Sequence, residues 1–516
     1  MAQPSPGRGG NQKIVSLDEL AELVRKHRDV GERIVHCHGV FDLVHPGHIR
    51  HLESAAEHGD VLVVTVVADH HVRKGPNGPV FNQRLRAETL AALECVDYVA
   101  LNESFTAVDA IERIAPDVYV QGAGSTRHDE DATARLALER DAVQRAGGQL
   151  ALTDEIAFSS THLLNAHFDV LSPEATAHLQ DISQRWSAAE VIDALKSLRD
   201  LRVLVIGDAI VDEYHFCNAF GKASKSSAIS AQYVRAETYA GGALAVANHV
   251  AGFCDRVTLV TCLGELDSRE EFVRAHLKPN IELRPVFRPD APTTVKRRFV
   301  ESFLLTKFFE VSFFNDSPLP PGAEGRALHQ LDGLASGYDL VLVADFGHGL
   351  MTARVVERVC ADARHLAVNT QLNSINFGYN VVTKYPRVDY ACIDEQETRM
   401  AARDRFAPLP ELVKSLTERL GCKLMATTRG KHGSLLYAPG EGFSSAPVLS
   451  REVVDTIGAG DAFLAVTAPC VCAGLPADLI GFVGNAVGAL AVRIIGNKES
   501  VEPDALFRYV RTLLTR

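Results

Sequence analysis

Apolar residues fall in short runs along the chain, separated by longer stretches in which they recur every three or four positions. RIVHCHG from Arg33, DVLVVTVVAD from Asp60, VDYVAL from Val96, DVYVQG from Asp117 and QLALTD from Gln149 are short and rich in apolar residues, and they read as strands. Helix-like segments lie between them, one beginning near His48, one from Val108 to Ile114 and one from about Asp131 to Ala146. Strands alternating with helices imply a parallel sheet covered on both faces, which explains why DVLVVTVVAD lacks a polar alternation. A last helix of this series is expected from Ser159.

A second α/β series opens with LRVLVIGD near Leu201 and continues through VTLVTCLG, DLVLVAD, HLAVNT, DYACID and LMATTRG to DTIGAGDAF. The stretches from Ala228 to Tyr239 and from Thr293 to Phe314 have antiparallel β character and fit a small lid on the main sheet. The pattern divides the chain into a disordered tail at 1–13, a first domain at 14–170, a polar helical linker at 171–198 and a second domain at 199–516. No internal repeat relates the halves.

With 516 residues, 46% of them hydrophobic, the chain has material for more than one core. A formal net charge of -12 argues against a nucleic-acid partner, although a few local cations and helix N-termini can still hold small phosphorylated substrates. Ten scattered Cys show neither metal-ligand nor disulfide-framework spacing, so free thiols and a cytoplasmic location are expected; Cys470 and Cys472 sit in an apolar stretch and are expected to be buried. MAQPSPGRGGNQK is no secretory signal, and no apolar run is long enough to span a membrane.

Two constellations carry chemistry. Gly39-Val40-Phe41-Asp42-Leu43-Val44-His45-Pro46-Gly47-His48 sets two histidines three residues apart between a buried strand and a helix N-terminus. Ring nitrogens there can donate to phosphate oxygens, Gly47 allows close backbone approach, and the helix end favours negative charge. A turn bearing two surface histidines is the plainer alternative. His36, His51, His70 and His71 have no patterned partners and read as surface or supporting residues rather than metal ligands. In Asp455-Thr456-Ile457-Gly458-Ala459-Gly460-Asp461, the glycines let successive N–H groups face one point at a helix N-terminus, a nest for a transferring phosphoryl group. Asp461 is placed to accept a proton from the attacking hydroxyl.

The first constellation resembles the HxGH nucleotidylyltransferases, which have a Rossmann-like fold. The likeness runs from about Arg33 to Asn165, where KGPNGPVFNQRLRAETLAALECVDYV and GGQLALTDEIAFSSTHLLN look like the nucleotidylyltransferase half of bifunctional bacterial heptose-phosphate enzymes. The resemblance implies that His45, His48 and Lys74 hold the nucleotide phosphates, with Gly39, Phe41 and Asp42 completing the motif. Arg86 would support the same site, with Arg84 as its substitute if the alignment slips. Ser159, Ser160 and Thr161 would add hydroxyls and helix N–H groups, an ordinary N-cap being the alternative. His38 stands where those enzymes carry Asn.

The second constellation resembles the ribokinase/PfkB sugar kinases over about Leu201 to Val501. That likeness implies a ribokinase-like fold with a β lid and ATP bound at Thr456, Gly458, Ala459, Gly460 and Asn485. Asp208, Asp212, Gly241 and Gly242 would bind the sugar. Asp394 and Glu397 would help hold Mg²⁺. Departures occur at Ala245, at Asn369-Thr370-Gln371 in place of Asp-Pro-Lys, and at Asp394 in place of Asn. They leave open a changed sugar or a weakened kinase.

Together the resemblances imply a bifunctional, Mg²⁺-dependent sugar-activating enzyme. It would phosphorylate a sugar or sugar phosphate with ATP and transfer a nucleotidyl group from ATP or CTP to a sugar 1-phosphate, giving an NDP-sugar such as ADP-heptose. The domains stand in the reverse of the usual order, and a homodimer is expected. The rival reading is a cytidylyltransferase for a polyol or other phosphate, joined to an inactive kinase-like module for sensing or dimerisation.

Overall fold

The computed structural model describes residues 13–72, 79–104, 106–122, 130–153, 171–222, 227–302, 305–373, 376–450 and 453–514. Two compact units divide at Val170 and Leu171.

The first unit is a six-stranded, all-parallel sheet in the order β1-β4-β3-β2-β5-β6. Its strands are β1 (Ile14–Val15), β2 (Ile34–Gly39), β3 (Val61–Val67), β4 (Tyr98–Asn102), β5 (Val118–Gly122) and β6 (Gln149–Thr153). Every residue of β3 is buried, as its unbroken Val/Leu/Thr run requires. The helices Val108–Ile114 and Glu130–Arg145 fall where their periodicity puts them. Strand β1 is an addition that two residues could not announce in the sequence. Strand β2 has β3 on one side and β5 on the other, so the strand order reverses at its C-terminal end, where open α/β sheets bind ligands. That end carries the histidine turn. The helix expected from Ser159 lies outside the described residues.

The second unit is built on a sheet in the order β10-β9-β7-β13-β14-β15-β16-β17-β18. These strands are β7 (Arg202–Lys222), β9 (Arg256–Gly264), β10 (Ile281–Arg288), β13 (Leu340–Asp345), β14 (Leu366–Thr370), β15 (Tyr390–Asp394), β16 (Leu424–Thr428), β17 (Ser434–Ala438) and β18 (Gly442–Ala446). Pairing is parallel through β16 and antiparallel over β16-β17-β18.

The expected lid is present. Strand β7 is 21 residues long and leaves the main sheet after Asp208, pairing from there with β8 (Ile229–Gly242) and β11 (Thr294–Glu301), while β11 pairs with β12 (Lys307–Phe313). One continuous strand therefore carries Asp208 in the main sheet and Asp212 in the lid. The helices Ala459–Cys472 and Ala477–Ala491 are largely buried, as their apolar sequences demand.

Residues 171–198, expected as a linker, fold into this unit. Helices Pro173–Arg185 and Ala188–Lys196 bury Ala175, Leu179, Ile182, Val191, Ile192 and Leu195, an apolar stripe that has to be covered. All ten cysteines are free thiols; Cys470 is buried and Cys472 half-buried.

Candidate functional sites in the two units

In the first unit β2 ends at Gly39, where an added Cβ would meet the Phe41 ring at 3.0 Å. Phe41 takes a left-handed φ of 49°, and its ring lies edge-on to His48 with centroids 5.5 Å apart. His45 caps the helix Pro46–Ala56, its Nδ1 accepting the Gly47 N–H at 3.1 Å. An accepting Nδ1 puts the neutral ring's proton on Nε2. The His45 and His48 rings sit 4.0 Å apart, which brings the two imidazoles together at a helix N-terminus.

Two motif residues have other work. Asp42, expected at the nucleotide, is buried and accepts Val80 N–H at 2.8 Å and Phe81 N–H at 2.9 Å, pinning the turn to the segment before the helix Gln83–Ala91. Arg86, expected to support phosphate, is 0% exposed. It donates to the carbonyls of Phe81 (3.0 Å), Val40 (2.5 Å) and Val67 (2.8 Å) and pairs with Asp69 at 2.6 Å, so its donors are engaged within the unit. Arg84 is exposed and pairs with Glu88 at 3.0 Å. Lys74, Ser159, Ser160 and Thr161 lie outside the described residues.

The other histidines are supporting residues. His36 is buried and His38 half-buried, and both bond Thr65 Oγ1, at 2.7 and 2.8 Å; burial keeps His36 neutral. His51 bonds Thr153 Oγ1 at 2.8 Å, tying the motif helix to β6. His70 and His71 both reach Glu103. Among the described residues no group of three or more His, Cys, Asp or Glu is arranged to hold a metal.

In the second unit a cleft of about 1270 Å³ is lined by Asn369, Asp394, Glu397, Arg429, Lys431, Thr456, Ala459, Gly460, Asp461 and Asn485, among others. Gly458, at φ +83°, caps the helix Ala459–Cys472; a Cβ there would strike Asn497 Oδ1 at 2.2 Å, whereas at Gly460 it would meet nothing within 4 Å. The second glycine is thus the open side of the nest. Asp461 is buried in the first helical turn, and burial with nearby Asp212, opposed by Lys296, pushes its carboxyl up to about 7.

Asp212 pairs with Arg298 at 2.5 Å and accepts from Asn497 at 3.3 Å. A Cβ on Gly241 would lie 2.1 Å from Asp212 Oδ2, and one on Gly242, at φ +57°, 2.6 Å from the Asp208 carbonyl. Gly241 therefore makes room for the Asp212 carboxylate, and Gly242 for the backbone of the strand that carries Asp208. Asp208, expected at the sugar, accepts Phe346 N–H at 3.0 Å and His348 N–H at 3.2 Å through Oδ2, while its buried Oδ1 has no partner. It organises the loop after β13, and burial plus neighbouring Asp345 raises it to about 6.

Asp394 and Glu397 form a reciprocal capping box on the helix Glu395–Ala402, with N–H to carboxylate distances of 2.7 and 2.8 Å. Both also line the cleft, and burial with Asp394 close by pushes Glu397 up to about 8. Asn485 donates to Ser434 Oγ at 2.6 Å and to the Gly481 carbonyl at 2.9 Å. Asn369 donates to the Cys392 carbonyl at 2.8 Å, while its Oδ1 is buried without a partner.

Several residues escaped the motifs. From β11, Arg298 pairs with Asp212 and the Lys296 charge acts on it electrostatically, and Lys307 from β12 pairs with Asp455 at 2.7 Å, which also accepts Tyr214 OH at 3.0 Å. Asp455 thereby latches the lid to the phosphate loop. His348 is buried with both ring nitrogens unpartnered and its pKa lowered to about 3 by burial and nearby cations. The run of three cations, Lys296-Arg297-Arg298, between apolar residues in TVKRRFV was the available signal.

Residues 36–166 match the cytidylyltransferase-like family, and residues 200–504 match the pfkB family of carbohydrate kinases. The N-terminal part is similar to the bifunctional protein HldE of Azorhizobium caulinodans, 38% identical over 155 residues, covering 30% of this chain and 31% of that protein. HldE of Methylobacillus flagellatus is 40% identical over 151 residues, covering 29% and 30%. The chain thus spans under a third of the length of these curated relatives. Phosphofructokinase-2 from Escherichia coli in complex with fructose-6-phosphate shares the fold, with a TM-score of 0.50 at 11% identity, over 61% of this chain and 100% of that one. With 305 of its 516 residues in the kinase match, this chain belongs to the pfkB family of carbohydrate kinases, preceded by a cytidylyltransferase-like domain.

Proposed function

We propose that the chain is a bifunctional sugar-activating enzyme whose two reactions run in separate units. In the second unit a sugar hydroxyl oxygen attacks the γ-phosphorus of ATP, its proton passes to Asp461, and ADP leaves. The observation that carries this reading is the buried Asp461 carboxyl at a helix N-terminus, on one cleft with Asn485, Arg429 and Lys431. Asp212, oriented by Arg298 and Asn497, holds a sugar hydroxyl. The phosphoryl group is stabilised by the nest at Gly458 to Asp461.

Mg²⁺ fits this cleft as an ion brought by the nucleotide. Asp394 and Glu397 each spend oxygens on the capping box and suit water-mediated contact with a hydrated ion rather than chelation. When bound, the ion neutralises phosphate charge.

In the first unit an oxygen of a sugar 1-phosphate attacks the α-phosphorus of ATP or CTP and pyrophosphate leaves, with no covalent enzyme intermediate. His45 and His48 donate to the phosphates, supported by Lys74 and by Ser159, Ser160 and Thr161. The likeness to HldE supports an NDP-sugar such as ADP-heptose as product. The departures at Ala245 and Asn369 bear on which sugar the kinase takes. Purified protein incubated with each nucleoside triphosphate and a panel of sugar phosphates, with pyrophosphate and ADP followed separately, tests both reactions and identifies the substrates.

The lid exposes Phe220, Ile229, Tyr233, Phe309 and Phe313, which supports a homodimer formed through this face. Sedimentation of the wild type against Phe309→Glu tests it. No helix among the described residues is long and apolar enough to cross a membrane, and the ten free thiols fit a cytoplasmic enzyme.

A further inference from the structure

The nucleotide cleft has a wall that lies outside the kinase match. Leu171, Ser172, Glu174 and His178 line the same cavity as Asp461 and Asn485, yet the match begins at residue 200. The helix that carries them is fixed in place. Ser172 accepts the Ala175 N–H at 3.1 Å, Pro173 occupies the first helical position, and Ala175, Leu179 and Ile182 are buried. At its far end Arg185 pairs with Asp478 at 2.5 Å and Trp186 Nε1 donates to the same carboxylate at 3.4 Å. Asp478 lies in the first turn of the helix Ala477–Ala491, which presents Asn485 to the cleft.

His178 is the one residue of this wall with unspent hydrogen-bonding capacity at a buried atom: its Nε2 is buried and has no partner. Burial lowers its pKa, so near neutral pH the ring carries one N–H donor and one acceptor nitrogen. Arg429, Lys431 and the N-terminus of the helix Ala459–Cys472 suit phosphates, whereas a neutral imidazole beside Glu174 does not. A heterocyclic base, with its own donors and acceptors, suits that wall.

Building on the kinase reading of this unit, we propose that the segment 171–178 forms the base-side wall of the kinase nucleotide site, with His178 hydrogen-bonding the purine of ATP. Specificity for the base then resides partly in a helix that precedes the kinase domain proper.

Equilibrium binding of ATP and of inorganic tripolyphosphate, measured by calorimetry on the full chain, tests this. The His45→Ala, His48→Ala background silences the other nucleotide site. His178→Ala should weaken ATP roughly tenfold, about the worth of one hydrogen bond, and leave tripolyphosphate unchanged. His178→Gln, which keeps a donor and an acceptor, should recover most of the loss. Unchanged ATP affinity in His178→Ala overturns the proposal. So does a parallel loss of both ligands, which would mark a structural role. If the background protein binds neither ligand, the cleft is no nucleotide site and the kinase reading falls as well.

Discussion

The histidine turn and the GAGD turn, the two phosphate sites we propose, are built with opposite economies of sequence. The histidine turn is contiguous: Gly39 to His48 supplies the strand end, the tight bend, the helix cap and the donor rings within ten residues. The GAGD turn supplies only the nest and Asp461. Its partners arrive from the lid (Asp212, Lys296, Arg298), from the β15 end (Asp394, Glu397) and from the helix before the domain (His178). A local site should tolerate change elsewhere in its unit, whereas a composite one should feel every element that reaches it.

The largest effect is expected at Asp461. Asp461→Asn keeps the side chain's size but removes the proton acceptor, and should lower ADP formation by about two to four powers of ten with pyrophosphate release unchanged, as coupled assays of each product would show. In the histidine turn, His45→Ala or His48→Ala should reduce pyrophosphate release by about 10² to 10³ and leave ADP formation near normal.

Arg86 and Arg84 sharpen the same comparison, because they stand two residues apart with opposite environments. Arg86→Ala removes an ion pair and three backbone contacts made by a buried guanidinium, and should destabilise the first unit by about 3 kcal/mol in urea unfolding. Arg84→Ala, which breaks an exposed pair, should change stability by less than about 0.5 kcal/mol.

A pH profile probes the composite site most gently. Asp461 must be ionised to accept a proton, and its carboxyl is raised to about 7, so the kinase reaction is fully supported above that pH and declines as pH falls through it. The kcat/KM for ADP formation should drop about tenfold per unit on the acid side of that value, and the pyrophosphate reaction should show no such limb from Asp461.

How much of this was legible follows the same division. Alternating buried strands and periodic helices exposed both α/β sheets and the lid, because each residue's partners there are set by local period. The histidine turn at a helix N-terminus and the glycine turn before the helix of Asp461 were legible for the same reason. The backbone contacts of Asp42, Arg86 and Asp208 were not legible, because a motif reports that a polar residue is required without saying whether ligand or backbone requires it. Only the hydrogen bonds to Val80, Phe81, Val40, Phe346 and His348 decide that. Lys296, Arg298 and the 171–178 wall depend on contacts between distant parts of the chain, such as β7 with β11, which no window of sequence contains.

The central claim is that two independent sites perform two transfers. ADP and pyrophosphate should be followed together in wild type, His48→Ala and Asp461→Asn, with the sugar phosphate and nucleotide that give the wild type its strongest signals. The account predicts a double dissociation: His48→Ala loses pyrophosphate and keeps ADP, and Asp461→Asn does the reverse. Loss of both products in either variant, or full retention of both, would contradict it.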